Sequence, residues 1–399
     1  MTQHPDSGNG VDAPAMLPPG ATIGVVGGGQ LARMLLPAGL KLGYRLAVLD
    51  AAQTAPAAAN AHVYISGDPR DPHAVRRLAQ TADLVTIELE NVSVEGLTAV
   101  RNAGLRVYPE PELLAAVQDK AAQRDLLARL GFPVPEWCVC DLPTADELTA
   151  FGFPLVQKLR RGGYDGRGVA VIHEPAQMAS RQLQGPSILE RCVPMERELA
   201  IVVARGRDGT VVSYPPAISE MDPERHVLDL LAAPPQITDA AAQRARELAE
   251  ELIAALEHVG LLAVEMFVDT EGELWLNEIS PRPHNSGHHT IEAASVSQFE
   301  LHLRAITGLP LFAPAMRAAA AVANLLAGPG EGPPNVTGWS QALAEPDVHV
   351  HWYDKRWARP GRKMGHVTVL RATLAEACAV ARDVRRRLHV AAAETAPNQ

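Results

Sequence analysis

The stretch ATIGVVGGGQLARMLL, residues 21–36, constrains this chain most: an apolar run, then three consecutive glycines, then Leu31, Leu35 and Leu36 at helical spacing. It reads as strand, tight turn and helix, and RLAVLD at 45–50 supplies the second strand of a βαβ unit. A parallel pair joined by a helix needs both faces of its sheet covered, which commits the region to a doubly wound parallel sheet. The alternation continues through AHVYISG, DPHAVRRLAQTA, DLVTIELE, VEGLTAVRNAG and LRVYP, so residues 20–110 are predicted to form a Rossmann-like domain. Gly27, Gly28, Gly29 and Ala32 satisfy G-x-G-x-x-A, with Asp50 ending the second strand. Glycines there let an anion approach the N–H groups of a helix N-terminus. A dinucleotide, a single phosphate and a purely structural turn all fit that pattern.

The pattern changes after residue 110. PELLAAVQDKAAQRDLLARLG predicts one helix, opened by Pro111 and stopped at Gly131, that leads into a second domain over 111–315. Hairpins dominate there: FPLVQKL and VAVI are joined by a loop, the strands SILERCV and ELAIVVAR follow, and LLAVEMFVD meets ELWLNEIS around the turn TEG. A strong amphipathic helix covers residues 239–258. Residues 316–399 read as a small α+β C-terminal lobe with a final helix from about Thr373 to Leu388, and residues 1–19, rich in Gly and Pro, as a disordered tail. The length of 399 residues suits two or three domains. A net charge of -10 leaves no broad positive field for nucleic acid, so anionic ligands need local basic sites. Four scattered cysteines build neither a disulfide framework nor a zinc site. No basic residue precedes Arg33 and no apolar run reaches membrane-spanning length, which points to the cytoplasm.

Four further segments carry chemistry. Lys158 and the loop Arg160-Arg161-Gly162-Gly163-Tyr164-Asp165-Gly166-Arg167-Gly168 lie between two strands, and such glycine density suits a flap closing over phosphates, or a mobile basic hairpin loop. Glu265 and Glu278 flank the turn at 269–272. If Val268 faces Glu273, they are diagonal neighbours on one face, roughly 7–8 Å apart by Cα. They then converge on a hard cation such as magnesium, unless both simply face solvent. An odd loop length breaks that register, and Asn277 joins the pair only if the strand bulges. Arg282, His284 and Asn285 in SPRPHNSGHH offer donors for a small anion such as carboxylate or bicarbonate, while Pro283 and Gly287 argue against a helical zinc pair of His284 and His288. Lys355, Arg356, Arg359, Arg362 and Lys363 crowd DKRWARPGRKMGH, as a solvated basic loop or as a phosphate clamp fixed by Trp357.

Taken in order, GGGQLARML, TIELENV, QDK, GGYDGRG, ILERCV, RHVLDLL, NEISPRPHNSGH and KRWARPGRKMGH resemble the N5-carboxyaminoimidazole ribonucleotide synthases, ATP-grasp enzymes of purine biosynthesis. The resemblance runs from about Ala21 to Leu370 and implies an ATP-grasp fold between the Rossmann-like domain and the C-terminal lobe. It implies that ATP phosphorylates bicarbonate to carboxyphosphate, which carboxylates the amine of 5-aminoimidazole ribonucleotide. ATP would contact Lys120, Lys158, Gly163, Tyr164, Asp165, Gly166, Arg167, Gly168, Val169, Glu190, Arg191, Cys192, Val193, Glu198, His226, Asn277 and Glu278. Mg2+, with Mn2+ as a substitute, would sit on Glu265 and Glu278. Lys355, Arg362 and Arg167 would take the ribonucleotide, and Glu88, Tyr164, Asp165, Arg282, His284 and Asn285 would surround bicarbonate and the amine. The family implies a homodimer. The Pro- and Ala-rich N-terminal extension departs from its pattern.

Overall fold

The computed structural model describes residues 16–163, 168–221 and 228–393. Strand β1 (Thr22–Val26), helix α1 (Gln30–Lys41), β2 (Arg45–Asp50), β3 (Val63–Ser66), α2 (Pro72–Ala79), β4 (Leu84–Ile87), α3 (Val94–Asn102) and β5 (Arg106–Tyr108) form the first unit. Its parallel sheet has the order β3-β2-β1-β4-β5. The order reverses beside β1, and the glycine turn sits at that switch point. Ile23, Val25 and Val26 are fully buried between the helical layers, as an apolar central strand requires. The predicted tail lies outside the described residues as far as residue 15. Beyond it the prediction fails locally, because Leu17 is buried among α1 residues and its N–H donates to the Thr307 carbonyl at 2.8 Å.

The single helix predicted over 111–131 is two: α4 (Pro111–Val117) and α5 (Lys120–Arg129). Asp119 between them is extended and accepts from the Ala121 N–H at 3.0 Å, so it starts a new helix rather than continuing the old one. A four-stranded antiparallel sheet follows, ordered β6-β9-β7-β8, from β6 (Trp137–Cys140), β7 (Leu155–Leu159), β8 (Val169–Ile172) and β9 (Ser187–Arg191), with α6 (Ala145–Phe151) and α7 (Met178–Arg181) among them.

The largest sheet has nine strands among the described residues. Its strands are β10 (Met195–Arg205), β11 (Val211–Ser213), β12 (Ala217–Met221), β13 (Leu228–Ala233), β14 (Gly260–Asp269), β15 (Leu274–Ser280), β16 (Ala319–Leu326), β18 (Val348–Trp352) and β19 (Lys363–Arg371), with α8 (Asp239–Ala255) over the β10 and β14 face. Its order is β15-β14-β10-β12-β13-β16-β19-β18, with β11 paired to β10, so C-terminal strands continue the sheet of the middle unit. Only β17 (Pro334–Thr337) and β20 (His389–Ala392) pair separately, near α11 (Trp339–Leu343) and α12 (Leu374–Arg387). Between β15 and β16 lie α9 (Thr290–Ala293) and α10 (Gln298–Thr307). Phe299, Leu303 and Ile306 of α10 pack on α1, joining the first unit to the second through one core.

Candidate active site

The glycine turn is built around a carboxylate of the chain itself. Glu88, just after β4, accepts from the N–H groups of Gly29 at 2.8 Å, Leu31 at 3.2 Å and Ala32 at 3.1 Å, while Asp50 accepts from Gly28 at 2.9 Å. Gly27 has a φ of +102°, and side chains at Gly27 or Gly29 would collide with Glu88. The positive end of α1 is therefore neutralised internally, and a dinucleotide phosphate there would meet Glu88. This corrects the dinucleotide reading of the motif. Burial raises the Glu88 carboxyl above its ordinary range despite those hydrogen bonds and the nearby Arg282 charge.

The carboxylate pair forms by a route other than the predicted register. Val268 pairs with Leu274, not Glu273, so a regular ladder would set Glu265 opposite Asn277. A bulge after the Met266–Leu276 pair instead brings Glu265 directly opposite Glu278. The bulge is held from the edge of the sheet. Arg124 of α5, 3% exposed, donates to the carbonyls of Leu276 at 2.8 Å and Asn277 at 3.0 Å. Its neighbour Gln123 accepts from the Ile279 N–H at 3.2 Å, so α5 side chains stand in for a missing strand.

The same elements assemble a row of cations. Lys120 Nζ is 2.9 Å from Glu278 Oε2. Lys158 Nζ is 2.6 Å from Glu190 Oε2 and donates to Asn277 Oδ1 at 2.9 Å. Arg124 Nε donates to the other Glu190 oxygen at 2.8 Å. Burial lowers the Lys158 pKa, whereas Glu190 stays below its ordinary range because Lys158 and Arg124 outweigh its own burial. Lys120 likewise holds Glu278 low against burial. Glu265 is pushed up to about 8 by burial and by the charges of Glu198 and Glu278, and Glu198 to about 7 by burial and Glu278. Glu278, itself ionised, raises the pKa of Glu265 and Glu198 beside it, a crowding that a hard divalent cation relieves, so Glu265 and Glu278 fit magnesium whose shell nucleotide phosphates complete.

The SPRPHNSG loop lies beside this floor. Arg282 binds Glu90 of the first unit, N to O 2.6 Å, and His284 Nδ1 lies 3.8 Å from Glu265 Oε1. Burial first and the Arg282 charge second push the His284 pKa down to about 4, so it is neutral. Asn285 opens the short turn Asn285–Gly287. Lys355 Nζ donates to the Lys363 carbonyl at 2.7 Å, and Arg362 to the Trp357 carbonyl at 2.7 Å. The basic segment is thereby folded on itself. Asp354 lies 3.9 Å from Arg33 of α1.

Other predicted residues are placed less centrally. Gly163, Gly168 and Val169 border the loop between β7 and β8, whose residues Tyr164, Asp165, Gly166 and Arg167 lie outside the described ones, as does His226. The Arg191 side chain turns outward to Glu136 at 2.8 Å, leaving its backbone, with Cys192 and Val193, at the junction of the four-stranded and nine-stranded sheets. Glu90 and Arg124 were not among the predicted residues. Neither stands out in sequence, since α5 also carries Lys120, Asp125 and Arg129 and Glu90 follows β4 two residues after Glu88.

A nine-stranded sheet facing a four-stranded one across paired carboxylates and lysines defines an ATP-grasp ligase. Three family models match in order: the ribonucleotide synthetase preATP-grasp domain over residues 20–118, the ATP-grasp domain over 125–299, and the phosphoribosylaminoimidazole carboxylase C-terminal domain over 320–379. The chain is 38% identical to N5-carboxyaminoimidazole ribonucleotide synthase of Synechococcus elongatus over 354 residues, 87% of this chain and 89% of that protein. It is similar to the crystal structure of the Thermotoga maritima synthetase of the same name, with TM-score 0.85, 36% identity and coverage of 94% of this chain and 100% of that one. The Aspergillus clavatus synthase in complex with ADP and 5-aminoimidazole ribonucleotide matches with TM-score 0.84 and 32% identity over 92% of this chain and 99% of that one. The chain belongs to the N5-carboxyaminoimidazole ribonucleotide synthase family, whose members are ATP-dependent ligases.

Proposed function

We propose that this protein uses ATP and bicarbonate to carboxylate the exocyclic amine of 5-aminoimidazole ribonucleotide, giving N5-carboxyaminoimidazole ribonucleotide, ADP and phosphate. The observation that carries the reading is the bulge that sets Glu265 opposite Glu278 beside Lys120 and Lys158. A bicarbonate oxygen attacks the γ-phosphorus and ADP departs, leaving carboxyphosphate. The amine then attacks the carboxyl carbon, and phosphate leaves with that oxygen. Such a reaction needs positioned cations and a dry cleft more than a strong protein nucleophile.

In this assignment Lys120, Lys158, Gly163 to Val169, Glu190 to Val193, Glu198, His226 and Asn277 hold ATP. Glu265 and Glu278 would hold Mg2+, or Mn2+ in its place, which when bound offsets charge on the phosphates. Arg167, Lys355 and Arg362 hold the ribonucleotide phosphate, while Glu88, Tyr164, Asp165, Arg282, His284 and Asn285 enclose bicarbonate and the amine. We assign the units to residues 20–110, 111–315 and 316–399, and place the protein in the cytoplasm as a homodimer. Among the described residues no helix is long and apolar enough to cross a membrane.

The test is ADP release with ATP, magnesium and bicarbonate, with and without the ribonucleotide. Strong stimulation by the ribonucleotide is expected, and ADP release indifferent to it would remove this function.

A further inference from the structure

Histidines of the two acceptor motifs form a buried stack that the chemistry above leaves unused. His288 follows the SPRPHNSG loop, His366 lies on β19 and His351 on β18. The His366 ring lies 4.5 Å and 15° from that of His288, and 4.4 Å and 14° from that of His351. Phe299 of α10 continues the stack beyond His288 at 6.2 Å. Burial and the neighbouring imidazoles hold His288 and His366 well below the usual histidine pKa. They are neutral, so the rings meet without charge repulsion.

Two rings of the stack, the outer His288 and the central His366, lead to groups assigned to the acceptor. On one side His288 Nδ1 lies 3.3 Å from Gln298 Nε2, which donates to the His284 carbonyl at 2.7 Å, while Gln298 Oε1 accepts from the His284 N–H at 2.9 Å. Gln298 thus clamps both backbone groups of His284, and any side chain at Gly287 would collide with its amide. On the other side His366 Nδ1 lies 2.7 Å from the buried Tyr353 hydroxyl, and Lys355 Nζ sits 5.4 Å from the centre of the Tyr353 ring. His351 Nε2, 2.7 Å from Glu292 Oε1, ties β18 to α9. Within the described residues His288 Nε2, His366 Nε2 and Glu292 Oε2 are buried without a hydrogen-bond partner. An aliphatic core would avoid that desolvation cost, so stability alone does not account for three stacked rings here.

We propose that this stack is the joint that sets Lys355 against His284, with His366 and Tyr353 as positioning residues for the phosphorylated acceptor. The inference rests on the assignment of Lys355 to the ribonucleotide phosphate. It is tested by a double-mutant cycle in the full chain, combining His366→Leu or Tyr353→Phe with Lys355→Ala and measuring kcat and both KM values. His366→Leu is expected to raise the ribonucleotide KM about tenfold, to move the ATP KM by no more than about twofold, and to add no more than about twofold once Lys355→Ala is present. Tyr353→Phe, which removes one oxygen and keeps the ring, is expected to follow the same pattern at about threefold, and carries the test if His366→Leu fails to fold. Effects that multiply in full with Lys355→Ala, a parallel rise of both KM values, or a Lys355→Ala protein with the parent ribonucleotide KM overturn the proposal while the ligase activity stands. ADP release that ignores the ribonucleotide in the parent protein overturns the activity itself, and the proposal with it.

Discussion

Arg124 braces the two carbonyls at the bulge and one oxygen of Glu190. Arg124→Met leaves those acceptors unpaired in a buried setting, which should cost about 3 kcal/mol, read from the urea midpoint. The magnesium concentration for half-maximal ADP release should rise about tenfold, since Glu278 loses its fixed place opposite Glu265. Unchanged magnesium dependence would contradict this account of the bulge. Glu278→Gln keeps the shape and removes the charge that Lys120 meets at 2.9 Å. Its turnover should fall at least about a thousandfold while the circular dichroism spectrum is kept. Near-normal activity would remove the metal assignment. Lys158, Glu265 and Glu278 lie in segments with a chemical reading of their own, whereas Lys120 entered only through the resemblance. Arg124 was not legible in sequence, because its partners lie 66 and 152 residues away and only the tertiary fold brings them together.

The break between α4 and α5 shows what periodicity leaves out among elements. Apolar positions continue through Val117, Ala121 and Leu127, so one helix was the natural reading, but Asp119 caps α5 and receives Arg160 at 2.7 Å. The break sets Lys120, Gln123 and Arg124 along the edge of β15, which a continuous helix would not do. Asp119→Ala removes the cap and the ion pair together, and should cost about 2 kcal/mol in a urea melt. A cost near zero would mean that packing alone sets the break. The β14–β15 hairpin carries the same lesson. Its strands and turn were legible, while the register depends on a bulge held from outside the hairpin, information that no local pattern contains.

At the scale of the whole molecule, the doubly wound parallel unit and the hairpin-rich character of the body followed from chain patterning, whereas the strand order and the merging of C-terminal strands into the central sheet did not, since they depend on pairing across distant segments. His258, His288, His289, His302 and His366 are buried and His284 is mostly so, and burial lowers the pKa of each. The unfolded chain takes up protons on histidine below about pH 6.5 that the folded protein refuses. Glu88, Glu198 and Glu265 act the other way, with raised pKa values that favour the folded state on acidification. From about pH 6 to pH 5 the six histidines outweigh the three carboxyls, so stability should fall by about 3 kcal/mol, read from urea midpoints. Constant or rising stability over that interval would contradict the neutral burial of the histidines. The claim that joins all three scales is that bicarbonate is activated by ATP on the floor formed by Glu265, Glu278, Lys120 and Lys158. Bicarbonate labelled with heavy oxygen, supplied with ATP, magnesium and 5-aminoimidazole ribonucleotide, tests it most directly. The account predicts one labelled oxygen in each phosphate released alongside the carboxylated ribonucleotide, and unlabelled phosphate would contradict it.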